Sequence, residues 1–511
     1  MKAAVALSAM TLAALVSGCS PQPEAEPADL RFPTGFQWGA AGAPQQSEGR
    51  NLHSDWQAFE EMGRVPPAGW AQNAYELYDT DFANAAAMHL NTVQFGIEWA
   101  RLVPARPADP FAPLTRATVD PEALAHYHAV VNSALRHGLT PVVAVTHFSL
   151  PKWVDNPQAY DAKKNAFTDD SLGGWTSRDT GRALAAYAAF VVREFGDQVK
   201  WWITIDEPMV VLAAAFMSGD FPPGIKNLTT IVDPVEPGNQ SVIDVMTNMI
   251  DAHARAWHAM KAVREDIHVG FAHNTVAWSP ADAQKPVDVA ATARVDHLYN
   301  QMFLDALTRG EFDRSLVEKG TPEAHPEWKG TLDYIGMNFY DHNAVVAVND
   351  LLPPLNAFPC NWAVEDLWPL FGCPPPTFSE PAGLKQMLHE YYDRYHLPIL
   401  ITENGFIDTP EGKAKRLVEM LTALHEAMAE GVPVIGYHYW TLVYDYEWNS
   451  GWTQDMGLFT FQAIVDGLRP ATDGTPGAPG PGSDFHRIPI EPMVGVYGEI
   501  AQKNAVPAHL R

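Results

Sequence analysis

Two acidic side chains stand where an apolar run stops. Residues 398–405 read Pro-Ile-Leu-Ile-Thr-Glu-Asn-Gly, a run of strand length that ends on Glu403 and is punctuated by Gly405. Residues 200–208 read Lys-Trp-Trp-Ile-Thr-Ile-Asp-Glu-Pro and end on Asp206 and Glu207, with Pro208 stopping the ladder. The two glutamates lie 403 − 207 = 196 residues apart, so only the fold can bring them together. Parallel barrels carry their chemistry at the C-terminal ends of their strands. Two carboxyl groups facing one another across a pocket there are the minimum equipment for cleaving a glycosidic bond. The neighbours suggest a division of labour. Glu207 follows Trp201, Trp202 and Ile205, apolar surroundings that would raise its pKa and suit a proton donor. Glu403 sits beside Thr402 and Asn404 and within reach of a phenol such as Tyr340, donors that would keep it ionised as a nucleophile.

Such a pair needs a frame. Eight apolar strand-like runs recur along the chain, at residues 36–40, 92–96, 140–146, 201–205, 269–272, 334–337, 398–402 and 434–439. Helical patterns separate them at 78–89, 121–137, 178–195, 243–264, 294–308, 384–395 and 413–430, and a last one covers 494–504. That alternation argues for parallel strands with crossover helices, and eight units are the count of a closed (β/α)8 TIM barrel with long βα loops. The strand exits carry Gln46 and Glu48, Gln94 and Glu98, His147, Asp206 and Glu207, Asn274, Asn338 and Tyr340, Glu403, and Trp440. Any one of these alone reads as a satisfied hydrogen-bonding residue; their recurrence favours a site. Trp440, Glu447 and Trp448 add a flat apolar platform for a sugar face and a carboxylate for a pair of hydroxyls.

Composition narrows the partners. The 511 residues hold 34 Lys+Arg against 61 Asp+Glu, a net charge of −27 that repels nucleic acid and anionic lipid headgroups and favours a neutral or cationic small substrate. Neither a His-Glu-x-x-His motif nor a carboxylate cluster at ligand spacing along the chain speaks for a metal, and no cofactor is expected. Residues 1–18 read as an export signal of lipoprotein type, with Cys19 as the acylated residue, and 19–31 as a Pro/Glu-rich tether before a barrel domain over 32–511. An ordinary cleaved secretory signal is the alternative. The expected location is periplasmic or anchored at the outer membrane. Cys360 and Cys373, in a Pro-rich loop over 349–378, can form one disulfide, with two free buried thiols as the alternative. That loop also holds Trp362 and Trp368 and reads as a lid.

The motifs together resemble family 1 glycoside hydrolases, retaining β-glycosidases on a (β/α)8 barrel, from Phe32 to about Asn504. Ile401-Thr402-Glu403-Asn404-Gly405 is similar to the family's nucleophile motif and Thr204-Ile205-Asp206-Glu207-Pro208 to its acid/base motif. The resemblance implies Glu207, Glu403 and Tyr340 as catalytic residues. It implies Gln46, His147, Asp206, Asn338, Trp440, Glu447 and Trp448 as sugar-binding ones, with a glycoside as substrate. Against the family pattern, Asp206 replaces an Asn, Gln94 replaces an Arg, Phe148 replaces a Trp, and the last platform reads Tyr444-Asp445-Tyr446-Glu447-Trp448. These changes add a negative group and remove a positive one beside Glu403, which raises carboxyl pKa values and fits a lower working pH or a substrate with a cationic group, such as an amino group at the sugar 2-position. Competing readings are a transglycosylase with an alcohol or lipid acceptor and a catalytically weak sugar-binding barrel.

Overall fold

The computed structural model describes residues 28–164, 166–226, 241–314, 321–349, 355–360, 373–374, 377–378, 380–468 and 477–511. The proposed export signal, Cys19 and most of the tether lie outside the described residues, as do Trp362 and Trp368. Among the described residues no helix is long and apolar enough to cross a membrane.

Eight parallel strands form the centre: β1 (Gln37–Ala41), β2 (Thr92–Gly96), β3 (Thr140–Thr146), β4 (Trp201–Asp206), β5 (His268–Pro280), β6 (Ile335–Ala347), β7 (Ile399–Asn404) and β8 (Val434–Trp440). Each pairs with the next, and β8 pairs with β1 from Gly436↔Gln37 to Trp440↔Ala41, so the sheet closes on itself. Helices at Ala74–Ala87, Pro121–Arg136, Arg178–Phe195, Val242–Val263, Pro381–Tyr395, Pro410–Ala429 and Met493–Lys503 cover its outside. With both faces covered, a strand has no polar side to show, which is why every residue of β7 is buried and it opens on the apolar run Ile399-Leu400-Ile401.

Local signals start the helices. Asp120 accepts backbone N–H bonds from Glu122 and Ala123 ahead of Pro121–Arg136, and Ser241 with Asp244 forms a reciprocal capping box at Val242–Val263. The last helix locks the seam: the Tyr497 hydroxyl donates to the Gly39 carbonyl at 2.7 Å, tying this helix to the middle of β1.

Two elements differ from the sequence reading. β5 and β6 run for 13 residues each, well past the expected 269–272 and 334–337. Beyond the barrel they stay paired, from Asp341↔Val276 to Val345↔Pro280, as a two-stranded ribbon whose polar residues break the apolar pattern. The helix expected at 294–308 starts earlier, at Pro286, and passes through a wide turn at His297–Gln301 before Met302–Arg309. Strands Ala357–Pro359 and Thr377–Phe378 pair with the ribbon, and Cys360 and Cys373 are joined by a disulfide.

Candidate active site

Both glutamates reach the C-terminal mouth of the barrel. Glu207 directly follows β4 with a left-handed backbone (φ 38°), a conformation that costs a non-glycine residue energy and persists only when its surroundings impose it. Here the Glu207 N–H bonds the Ala272 carbonyl at 2.9 Å and Pro208 opens the next helix, so the turn is held from both sides. Glu403 stands on β7, one residue before its end. Gly405 beyond it passes so close to β8 that a Cβ there would sit 2.2 Å from the Trp440 carbonyl oxygen. Only glycine lets the two strand ends approach this closely.

The two carboxyl groups line one cavity of about 550 Å³, shared with His147, Asp206, Tyr340, Trp440, Glu447 and Trp448. Glu207 accepts hydrogen bonds from the side-chain amides of Asn274 (3.1 Å) and Asn338 (2.9 Å). Burial raises its pKa to about 7, against the lowering effect of those two donors. Glu403 accepts a 2.8 Å hydrogen bond from the Tyr340 hydroxyl, and its other oxygen is buried without a partner. Burial first, and then the Asp206 and Glu207 carboxylates, push it well above the ordinary carboxylate range.

The expected donors beside Glu403 do not serve it. Thr402 donates to the Asn338 side chain at 2.6 Å, and Asn404 donates to the Phe339 carbonyl and accepts from the Tyr437 hydroxyl. The reason is the strand period: residues on either side of Glu403 point to the opposite face of β7. Nor do Trp201 and Trp202 shelter Glu207. Trp201 stacks on His268 at the far end of the barrel, and the Trp202 indole donates to the Val199 carbonyl.

The remaining expected residues divide into two groups. Trp440 and Glu447 are linked by the indole N–H at 3.2 Å, and Gln46 donates to the same Glu447 oxygen at 3.3 Å. Burial lifts Glu447 to about 7. His147 lies nearly parallel to both Trp440 and Trp448, and burial drops its pKa to about 3, so the imidazole is neutral. Asn338 and Gln46, by contrast, are fully buried and do not line the cavity. Asn338 is occupied by neighbouring side chains: its amide donates to Glu207 and also bonds Asp206, lowering that carboxyl's pKa, and its carbonyl accepts from Thr402. Asn274, a strand exit to which the sequence gave no catalytic or sugar-binding role, lines the cavity, bonds Glu207 and is itself held by the Tyr299 hydroxyl at 2.8 Å. Of the other polar exits, Glu48 pairs with Arg101 at 2.7 Å, Glu98 accepts from Ser149, and Gln94 faces His438 inside the barrel at 2.9 Å.

Three strands also bring together a group that linear spacing hides. One ligand atom each from His147 (after β3), Asp206 (end of β4) and Glu403 (β7) lies within 4.8 Å of the others. Imidazole and carboxylate groups are donor types that hold metal ions.

Known proteins resemble the chain over almost its whole length. The profile described as "Glycosyl hydrolase family 1" matches residues 28–467. The chain is 26% identical to a β-galactosidase from Pyrococcus woesei, covering 93% of this chain and 98% of the relative. It is 26% identical to β-glucosidase A from Thermotoga maritima, covering 84% and 92%. Among solved structures, a β-glycosidase from Pyrococcus horikoshii superposes with a TM-score of 0.74 at 26% identity, over 94% of this chain and 97% of that one.

Proposed function

The chain belongs to glycosyl hydrolase family 1, and on that premise we propose that Glu207 and Glu403 carry out double displacement on terminal non-reducing β-linked sugars, in the manner of a β-glucosidase. The observation that carries this reading is the pair of glutamates delivered by β4 and β7 into one cavity with different partners. Glu403 attacks the anomeric carbon as the bond to the leaving oxygen breaks, and the Glu207 proton goes to that oxygen. Water then attacks the glycosyl ester, its proton returns to Glu207, and the ester bond to Glu403 breaks. A pKa of about 7 leaves Glu207 mostly protonated below neutral pH, as the first step requires. Tyr340 fixes the orientation of Glu403 through its hydroxyl. Relatives named β-galactosidase and β-glucosidase support β-linked substrates.

The test uses an aryl β-glycoside panel with Glu403→Gln and Glu207→Ala. Each removes most turnover, and azide restores the second by attacking the glycosyl ester to give a β-azide. Turnover that survives Glu403→Gln contradicts the assignment.

Export and anchoring through Cys19 belong to the same reading, supported by the apolar run and small residues of 3–18, the Pro/Glu-rich 20–29 and a disulfide suited to an oxidising compartment. Metabolic labelling with a fatty-acid analogue tests it: label retained in Cys19→Ala contradicts acylation there.

A further inference from the structure

The mouth of the cavity is built differently from its floor. His147, Glu207, Glu403 and Trp440 are 3–7% exposed, whereas Ile407, which lines the same cavity, is 61% exposed. A sugar held at the floor therefore points its leaving group outward, past Ile407. Two apolar walls flank that path. On one side Phe148 follows β3 and Phe221 lies beyond β4, their rings 5.4 Å apart, and Trp448 reaches across from the loop after β8 to pack on Phe148 at 4.8 Å. Phe148 and Trp448 both hold left-handed backbones (φ 62° and 48°), strain that a non-glycine residue keeps only where its surroundings fix it. On the other side Phe406 and Ile407 follow β7, joined by Met456. Lys413 pairs with Asp455 at 3.2 Å, which ties the stretch carrying Met456 to the helix after β7. β3 and β7 are four strands apart in the closed sheet of eight, so Phe148 and Ile407 face the mouth from opposite sides.

Polar partners are scarce between these walls. Gln454 donates to the Ser450 hydroxyl at 3.2 Å and Arg416 to Asp408 at 3.1 Å, while Asp341 adds one carboxyl group from β6. A second pyranose as leaving group would bring several hydroxyls into a space walled by rings and aliphatic side chains, where an unmade hydrogen bond costs free energy. A flat apolar group has no such hydroxyls to satisfy and gains by leaving water. Building on the glycosidase reading, we infer that Phe148 and Ile407 determine specificity for the leaving group, and that the enzyme selects β-glycosides of phenols and arylalkyl alcohols over disaccharides. Phe148 offers a ring face that Phe221 and Trp448 hold in place, and Ile407 covers the leaving group from the other side. Selectivity then comes from the unpaired hydroxyls that a sugar leaving group would carry into the mouth.

The test holds the sugar constant, taking the glycone that the aryl β-glycoside panel favours. It compares the 2-phenylethyl glycoside, the methyl glycoside and the disaccharide β-linked to O4 of glucose. All three release an alkanol, so kcat/KM reads recognition of the leaving group. Wild type is expected to favour the phenylethyl glycoside over each of the others by about tenfold or more. Ile407→Asn, at an exposed position, and Phe148→Ala are each expected to lower the phenylethyl-to-methyl ratio by about fivefold or more. Equal or better use of the disaccharide by wild type, or a ratio unchanged in Ile407→Asn, overturns the specificity while leaving the hydrolase reading in place. Calorimetry with the 2-phenylethyl and methyl 1-thioglycosides reads the walls without chemistry. Tighter binding of the phenylethyl compound by a protein that cleaves no O-glycoside keeps the apolar site and removes the hydrolase reading; equal binding of the two overturns the apolar site.

Discussion

The Tyr340 hydroxyl donates a 2.8 Å hydrogen bond to Glu403 Oε2 across from Asp206, and it is the donor that opposes the upward push on that carboxyl group. It stands on β6 and Glu403 on β7, so two adjacent strands fix the geometry of the bond. A hydrogen bond to a charged group is worth about 1.5–3 kcal/mol. Tyr340→Phe is therefore expected to lower kcat by roughly 10- to 100-fold, with a smaller change in KM. It also raises the acidic limb of the pH profile, because loss of a donor to the ionised form raises the pKa. Steady-state kinetics across pH check both; an unchanged acidic limb contradicts the role.

Glu207 sets the opposite limb. Its pKa of about 7 makes kcat/KM fall as pH rises through neutrality and the acid loses its proton. Asn274 donates to this carboxylate at 3.1 Å and lowers its pKa. Asn274→Ala is expected to move the basic limb to higher pH. A downward shift would mean that the amide favours the protonated form instead.

The pattern of residues made the barrel legible, and it made the two glutamates legible as well, because in a doubly covered sheet an apolar run that stops on a carboxylate has few packing explanations. β2 and β3 match their expected limits residue for residue. What hid was whatever depended on a neighbouring strand. β5 and β6 continue past the polar stretches His273-Asn274-Thr275 and Asp341-His342-Asn343 and pair beyond the barrel, so an apolar pattern could not extend them. Asn274 and Asn338 look alike in sequence, stand side by side across β5 and β6 and both donate to Glu207, yet Asn274 lines the cavity and Asn338 does not. Thr402 and Asn404 looked like partners of Glu403 by proximity, and strand alternation turns them away.

The buried titratable groups also shape stability. Glu48, Glu207 and Glu447 are raised from 4.5 to about 7 and Glu60 to about 8, chiefly by burial. Each binds in the folded state a proton that the unfolded chain releases, so its contribution is lost as pH rises from 4.5 through the folded value. His147, His273 and His438 are lowered from 6.5 to about 3, also by burial, and act against folding only below 6.5. Between about pH 6.5 and 8 the carboxyl groups act alone in this balance. The thermal midpoint is therefore expected to be higher at pH 6.5 than at pH 8. A higher midpoint at pH 8 would contradict the burial of these carboxyls.

The central claim is that Glu403 forms a glycosyl ester that Glu207 then helps water to open. Proton NMR during hydrolysis of an aryl β-glycoside reads the configuration of the sugar as it is released. The β-anomer should appear first and convert to the α-anomer only by slow mutarotation. An α-anomer formed first would mean that water attacks the substrate directly, and the double displacement would be wrong.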